Sequence, residues 1–472
     1  MKEILLITFA SVNVLMSRFA LLTLKQPTTA LVWLIKAFTS AVSPLLLLLG
    51  LFVAISGFIF HSTATIIIGA CSVILYFFHI VQITRGPDAS TNLESCFGAD
   101  WYKRIAAERK SLFLSRRYVF WLPKSPSPVF EQDIPFYIIP ETGRALLCDM
   151  WQPPAGRDHS GLVFIYLHGS AWTMLDKDFG TRPLFRHLAS QGHVIMDVAY
   201  RLFPETDFTG MVHDAKRAIA WMKVNAKTYG VNPERILIGG GSAGAHVGML
   251  AAYTATGKQL TPPDLQQADL HVWGVISCYG QSDLAATYYH NCQHLISASP
   301  LSPKEKKPGG MPSWIRKRMG KDFHRLGFDK DAETGRLIPI IGGRPEDKPG
   351  AYALFSPISH VHKDCPATFI LHGKQDILAP VKAIRELHAR LKDAGVPVVM
   401  HLLPQTDHGF DLILTRLSPS AHNAIYDIER FMAIMAEGEP VAENRRTATN
   451  LSVAASQRAT GEKMDLERES FK

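Results

Sequence analysis

The sequence predicts an α/β protein, a mostly parallel sheet flanked by helices, set behind an N-terminal transmembrane helical hairpin. Three observations predict it: two uncharged stretches of about twenty residues near the N terminus, short apolar runs alternating with helical periods beyond residue 130, and a serine on a glycine-rich turn between one such run and a helical stretch.

Composition bounds the rest. The chain has 472 residues, 47% apolar and 19% charged, enough for a sizeable core and too apolar for a disordered chain. The net charge of +8 is spread along the chain without an aromatic-studded basic face, which excludes a nucleic-acid-binding module. The six cysteines lie far apart with no C-x-x-C pair, which excludes a disulfide scaffold or a zinc ribbon and fits a reducing compartment.

The hairpin comes first in the chain. Ala41 to His61 and Ala64 to Ile83 carry no formal charge and have no polar face, and each is long enough to cross a hydrocarbon core of roughly 30 Å. Lys2, Arg18, Lys25 and Lys36 lie upstream, and Arg85, Lys103, Arg104, Arg109, Lys110, Arg116 and Arg117 downstream, while the tip between the spans has no cation. The positive-inside rule then puts both flanks and the C-terminal remainder in the cytosol, with the endoplasmic reticulum a candidate membrane. The apolar run Ile4 to Met16 reads as an interfacial or signal-anchor-like segment; if it also spans, the topology inverts. Trp101 to Arg117, with six basic residues and one acidic, reads as a basic linker helix suited to a solvated or a lipid-headgroup surface.

The sheet follows. Expected strands are Phe136–Ile139, Ala145–Trp151, Leu162–Leu167, Val194–Ala199, Ile236–Gly239, Gly274–Cys278, Thr368–Leu371 and Val398–Leu403, the first two forming an antiparallel edge hairpin around Glu141-Thr142-Gly143. Helical periods run over Met211–Tyr229 and Val381–Ala394, the latter ended by Gly395. Pro300 to Gly350 reads as an insertion, with nine basic and three acidic residues between Lys304 and Lys330. It reads as a loop excursion or as a lid or membrane-contacting flap.

The chemistry gathers around Gly240-Gly241-Ser242-Ala243-Gly244, which directly follows Arg235–Gly239. A serine on a sharp strand-to-helix turn needs small neighbours, because the backbone there is strained. Its hydroxyl needs a base, and His408 in Asp407-His408-Gly409-Phe410 follows the last strand. Asp376, in the loop after the penultimate strand, is the matching carboxylate, with Asp364 and Asp411 as rivals. The order Ser242, Asp376, His408 is that of α/β-hydrolases rather than of trypsin-like or subtilisin-like proteases. His168-Gly169-Ser170-Ala171-Trp172 ends a strand where oxyanion donors belong, and the Ala243 amide follows the nucleophile. His290/His294 and His360/His362 are histidine pairs without further ligands at metal-site spacing, which argues against a metal site.

From about Leu162 to Ala436 the chain resembles the hormone-sensitive-lipase, arylacetamide-deacetylase-like (fold-3) branch of the α/β-hydrolase superfamily. The resemblance rests on His168–Trp172 in place of HGGAW, Tyr200-Arg201-Leu202-Phe203-Pro204-Glu205 in place of YRLAPE, Gly240–Gly244 in place of GDSAG, and His408-Gly409-Phe410 in place of HGF. It implies an α/β-hydrolase fold and hydrolysis of a carboxylic ester through an acyl-enzyme, with no metal or organic cofactor. In that reading the oxyanion amides are Ser170, Ala171 and Ala243, and His168, Gly169, Gly240 and Gly244 are motif positions. Ser170 and Ala171 stand where the family has glycines, Gly241 where it has aspartate, and Ala245-His246 is closer to formamidase-like relatives. An amidase or acyltransferase on the same triad, and a non-catalytic receptor on the same scaffold, are the alternatives. The expected organisation is an interfacial segment over 1–40, two transmembrane helices over 41–83, a basic juxtamembrane linker over 84–130, a hydrolase domain over 131–436 and a disordered polar tail over 437–472. The expected partners are an apolar ester substrate and a lipid bilayer.

Overall fold

Leu- and Ile-rich helices without a polar face begin the chain, and their lengths differ from the sequence expectation for a local reason. The structure is a computed structural model and describes residues 2–27, 30–293 and 334–438. Four helices of twelve residues or more, α1 (Lys2–Leu24), α2 (Ala30–Ala41), α3 (Ser43–Ile59) and α4 (Thr63–Ile83), precede the sheet, followed by the one-turn helix Leu93–Phe97. The run expected to span from Ala41 to His61 is broken: α2 and α3 meet at 72°. Pro44 sits in the first turn of α3, where its missing N–H is harmless, but it could not continue α2. Among the described residues, α4 alone is long and apolar enough to cross a membrane by itself, and α2–α3 joins it if the bent pair is one span. Ser62 caps α4 by accepting from the Thr65 amide. Ile4–Met16, expected as a separate interfacial segment, lies within α1, which packs on α4 through Met16, Ala20 and Tyr76.

The basic stretch after α4 is not a helix. Trp101–Arg104 is a single 3-10 turn and Ala107–Lys110 a single α-turn. The stretch and its flanks run through turns and bends held by tertiary contacts: Leu93, Ile105, Leu114 and Leu122 are buried in the core. The Arg117 guanidinium pairs with both carboxylate oxygens of Asp427 at 2.7 and 2.8 Å. Its bases therefore work on the protein as well as on solvent.

One eight-stranded sheet follows, in the order β1-β2-β4-β3-β5-β6-β7-β8. The strands are β1 (Val129–Ile138), β2 (Ala145–Gln152), β3 (Gly161–Leu167), β4 (Val194–Val198), β5 (Val231–Gly241), β6 (Gly274–Cys278), β7 (Ala367–Gly373) and β8 (Val398–Leu403). β1 and β2 form the antiparallel edge hairpin, β2 also runs antiparallel to β4, and every later pairing is parallel. The alternation along β3 divides the core: Val163, Ile165 and Leu167 face one layer, Leu162, Phe164 and Tyr166 the other. The first layer holds α6 (Phe208–Asn225), α7 (Ala243–Tyr253) and α8 (Val381–Asp393); the second holds α5 (Arg182–Ser190) and α9 (Pro419–Glu437). The architecture is the α/β-hydrolase fold, a mostly parallel mixed sheet between two layers of helices. Most of the expected insertion, residues 300–333, and most of the expected tail, 439–472, lie outside the described residues.

Candidate active site

β5 ends in the tight turn that the glycines announce. Ser242 has φ 52° and ψ −123°, a strained conformation for a side-chain-bearing residue, directly between β5 and α7. A Cβ at Gly240 or Gly244 would fall 1.9 Å from the Leu167 carbonyl oxygen, so β3 can lie against the turn only if both are glycine.

The turn presents the Ser242 hydroxyl to a histidine brought from 166 residues away: Ser242 Oγ lies 2.7 Å from His408 Nε2. On the far side of the ring, His408 Nδ1 lies 2.9 Å from Asp376 Oδ2. An ionised Asp376 can only accept, so Nδ1 carries the proton and Nε2 is left to accept from the serine. Burial alone would push the Asp376 carboxyl up. The neighbouring His408 and His372, with the hydrogen bonds from His408 and the Ala379 amide, win and hold it below its ordinary value. Its other oxygen accepts from the Leu378 and Ala379 amides, each at 2.8 Å. Of the rival acids, Asp411 instead accepts from the Tyr279 hydroxyl at 2.5 Å, and the Asp364 amide donates to His362 in a separate turn.

The loop after β3 reaches the same place, with Gly169 packed over the turn so that a Cβ there would be 3.5 Å from Ser242 Cβ. Ala171 and Trp172 both take positive φ, 45° and 62°, turning the loop back on itself. Two sets of hydrogen bonds stabilise that bend. Tyr200 donates to the His168 carbonyl at 2.9 Å; Ser170 Oγ lies 2.7 Å from the Tyr200 hydroxyl oxygen and accepts from the Trp172 amide at 3.0 Å. Ser170 Oγ therefore ties the loop to Tyr200 and to its own Trp172 amide. The Trp172 indole donates to His246 Nδ1 at 3.1 Å, and His246 Nε2 donates to the Phe355 carbonyl at 2.7 Å. Burial pushes His246 down to about 4, consistent with a neutral ring. His168 is also pushed down to about 4 by burial, and its ring packs against Tyr200. Ala243 opens α7, so its amide is one of the first-turn donors a helix leaves unpaired.

Three residues at the site went unread in the sequence. The Asp407 carboxylate accepts from the His408 amide at 2.8 Å and the Ile377 amide at 3.1 Å, tying together the loops that carry His408 and Asp376. Burial pushes this carboxyl up to about 6, against the opposing pull of Lys36. Tyr279 packs its ring edge-on against His408 with centroids 4.7 Å apart. Trp33, from α2, donates its indole N–H to the His408 carbonyl at 3.0 Å. Asp407 adjoins the base in sequence and could have been singled out for that; nothing local marks the other two.

Of the histidine pairs considered for metal, His360 and His362 bond backbone carbonyls instead. His360 Nε2 lies 2.7 Å from the Leu354 carbonyl and His362 Nε2 3.1 Å from the Tyr253 carbonyl, while His294 lies outside the described residues.

The family profile described as BD-FAE matches residues 148–312 and 317–391, just over half of the chain. The match includes Ser242 and Asp376 and stops short of His408. The esterase LipQ of Mycobacterium tuberculosis is 31% identical over 313 residues, covering 65% of this chain and 64% of LipQ. LipM of the same organism is also 31% identical, over 301 residues, covering 62% of this chain and 59% of LipM. The chain thus matches a little under two thirds of the length of these relatives. Among solved structures, a thermophilic esterase from Thermogutta terrifontis aligns over 65% of this chain and 94% of that one, with 20% identity and a TM-score of 0.45.

Proposed function

Because this chain belongs to the BD-FAE family, whose fold is that of the α/β-hydrolases, we propose that it is a membrane-associated serine hydrolase that cleaves carboxylic esters through an acyl-enzyme. The observation that carries the proposal is the continuous hydrogen-bonded path from Ser242 Oγ through His408 to Asp376, at 2.7 and 2.9 Å. Ser242 attacks the acyl carbonyl as His408 Nε2 takes its proton, and the imidazolium then returns that proton to the leaving alcohol. Water repeats the sequence on the acyl-enzyme. Asp376 holds the ring tautomer and stabilises the imidazolium; the Ser170, Ala171 and Ala243 amides receive the developing oxyanion. The name of the LipQ relative, an esterase, supports ester over amide cleavage.

Membrane association rests on α3 and α4, whose outward residues include Phe58 and Ile74, 74% and 65% exposed. A hydrolase held at a bilayer suits an apolar ester that partitions there, with the hydrolase domain on the cytosolic side. The test is twofold. A fluorophosphonate probe should label the wild type and not Ser242→Ala, and the full chain should stay in the membrane pellet after carbonate extraction. A panel of esters of graded chain length should favour long acyl chains in vesicles; much faster turnover of short, water-soluble esters would overturn the substrate assignment.

A further inference from the structure

Lys36 is the point from which the inference starts. It lies in the apolar helix α2, ALVWLIKAFTSA, and is 1% exposed. The sequence reading counts it among the charges flanking the membrane spans. In the structure its ammonium is turned into the protein, 3.4 Å from Asp407 Oδ2, and also donates to the Gln375 side-chain carbonyl. A buried ammonium needs such partners, because an unpaired one is costly in an apolar setting.

Those two partners belong to the loops of the triad. Gln375 immediately precedes Asp376, and its amide donates to the Thr406 carbonyl at 3.0 Å. Asp407 immediately precedes His408, and its other oxygen binds the His408 and Ile377 amides. One turn earlier on the same helix, Trp33 donates to the His408 carbonyl and sets its ring edge-on to the imidazole, with centroids 6.4 Å apart. Further along, Ser40 bonds His79 of α4 at 2.9 Å, and the other nitrogen of that ring meets Gln405 at 2.9 Å. At Gln405, Asp407 and His408, the loop bearing the base is thus held by side chains of the N-terminal helices.

We propose that α2 is a working part of the active site: Lys36 and Trp33 are positioning residues that act through Asp407 and the His408 backbone to hold the imidazole in line between Ser242 and Asp376. The proposal rests on the triad reading above. In it the N-terminal segment completes the catalytic centre as well as attaching it to lipid, so catalytic competence depends on α2 remaining docked. A displacement of a base by about an ångström can lower turnover by roughly a hundredfold, while substrate binding is little affected.

The test uses the full chain in nanodiscs, with the concentration of competent sites titrated by a fluorophosphonate so that rates are per active site. Lys36→Met keeps the length of the side chain and removes its charge; it should lower kcat by about ten- to a hundredfold with KM within about twofold. Lys36→Met combined with Asp407→Asn removes both charges and leaves an amide oxygen for the two backbone donors, so it should recover most of the lost kcat. Trp33→Phe, which keeps a ring and loses the indole N–H, should lower kcat several-fold at an unchanged KM. It carries the test if Lys36→Met does not fold. Wild-type kcat in Lys36→Met, or in Trp33→Phe should that be the only folded variant, overturns the proposal. So does a lowered kcat that the double variant leaves unrescued. Ser242→Ala separates the two levels: residual labelling there overturns the triad reading itself, whereas loss of labelling with an unaffected Lys36→Met overturns only the role of α2.

Discussion

The Tyr279 phenol occupies the space beside Gly241: a Cβ at position 241 would lie 2.7 Å from the phenolic oxygen. That hydroxyl donates to Asp411, and the ring buttresses His408 and Phe410. The glycine found where the resembled branch carries aspartate is thus matched to the aromatic residue that directly follows the neighbouring strand β6. Gly241→Asp should push Tyr279 from its place, lowering the melting temperature by several degrees and kcat by about tenfold. Thermal unfolding and ester turnover measure both; if neither changes, the pairing of these two residues is not a constraint.

Asp376→Asn keeps the shape of the acid and removes its charge. An amide can present its NH₂ to His408 Nδ1, which then accepts and leaves the proton on Nε2, facing Ser242. A loss of about 10⁴ in kcat is expected, with the fold intact by circular dichroism. A loss of less than about tenfold would direct attention to Asp411.

His246 tests how the loop after β3 is held. His246→Ala leaves the Trp172 indole N–H and the Phe355 carbonyl without their partner and opens a void behind the loop. The expected cost is about 2–4 kcal/mol of stability by denaturant unfolding, with a lower kcat as the loop after β3 loses its anchor beside Ser242. His246→Gln should restore part of both.

Lys216 gives a pH-dependent prediction away from the site. Its ammonium is buried against the Thr254 carbonyl and the Thr261 hydroxyl, and burial pushes it down to about 7. Between that value and 10.5 the unfolded chain is protonated where the folded one is neutral. The unfolded state binds more protons there, so stability rises with pH across the window. The contribution present above it is lost as the pH falls through about 7. Lys216→Met has no such dependence, so its melting temperature relative to wild type should be higher at pH 7 than at pH 9.5. A constant difference between the two pH values would mean that the lysine stays charged in the fold.

Local pattern explains which features were legible. Each expected strand lies in or overlaps an observed one, because runs such as Leu162–Leu167 must be apolar on both faces to sit inside a covered parallel sheet. Ser242, Asp376 and His408 could be named because each sits on a loop directly after a strand, and the parallel sheet brings those strand ends to one edge. The helix expected over Trp101 to Arg117 failed for the opposite reason. Its apolar residues bury themselves against α9 and the sheet, and tertiary contact prevailed over helical propensity.

By itself the sequence determined the layered α/β sheet, the elbow and the identity of the three residues now aligned across it, since each of these follows from periodicity or from the residues a turn will tolerate. Only the tertiary structure decided that Lys36 belongs to the active-site loops rather than to the membrane flank, that Trp33 holds the His408 carbonyl, and that Asp407 joins the two loops. Lys36 and Asp407 are 371 residues apart. A contact at that separation leaves no periodic trace in either segment; it exists because a buried charge must find an opposite one, and the fold decides where.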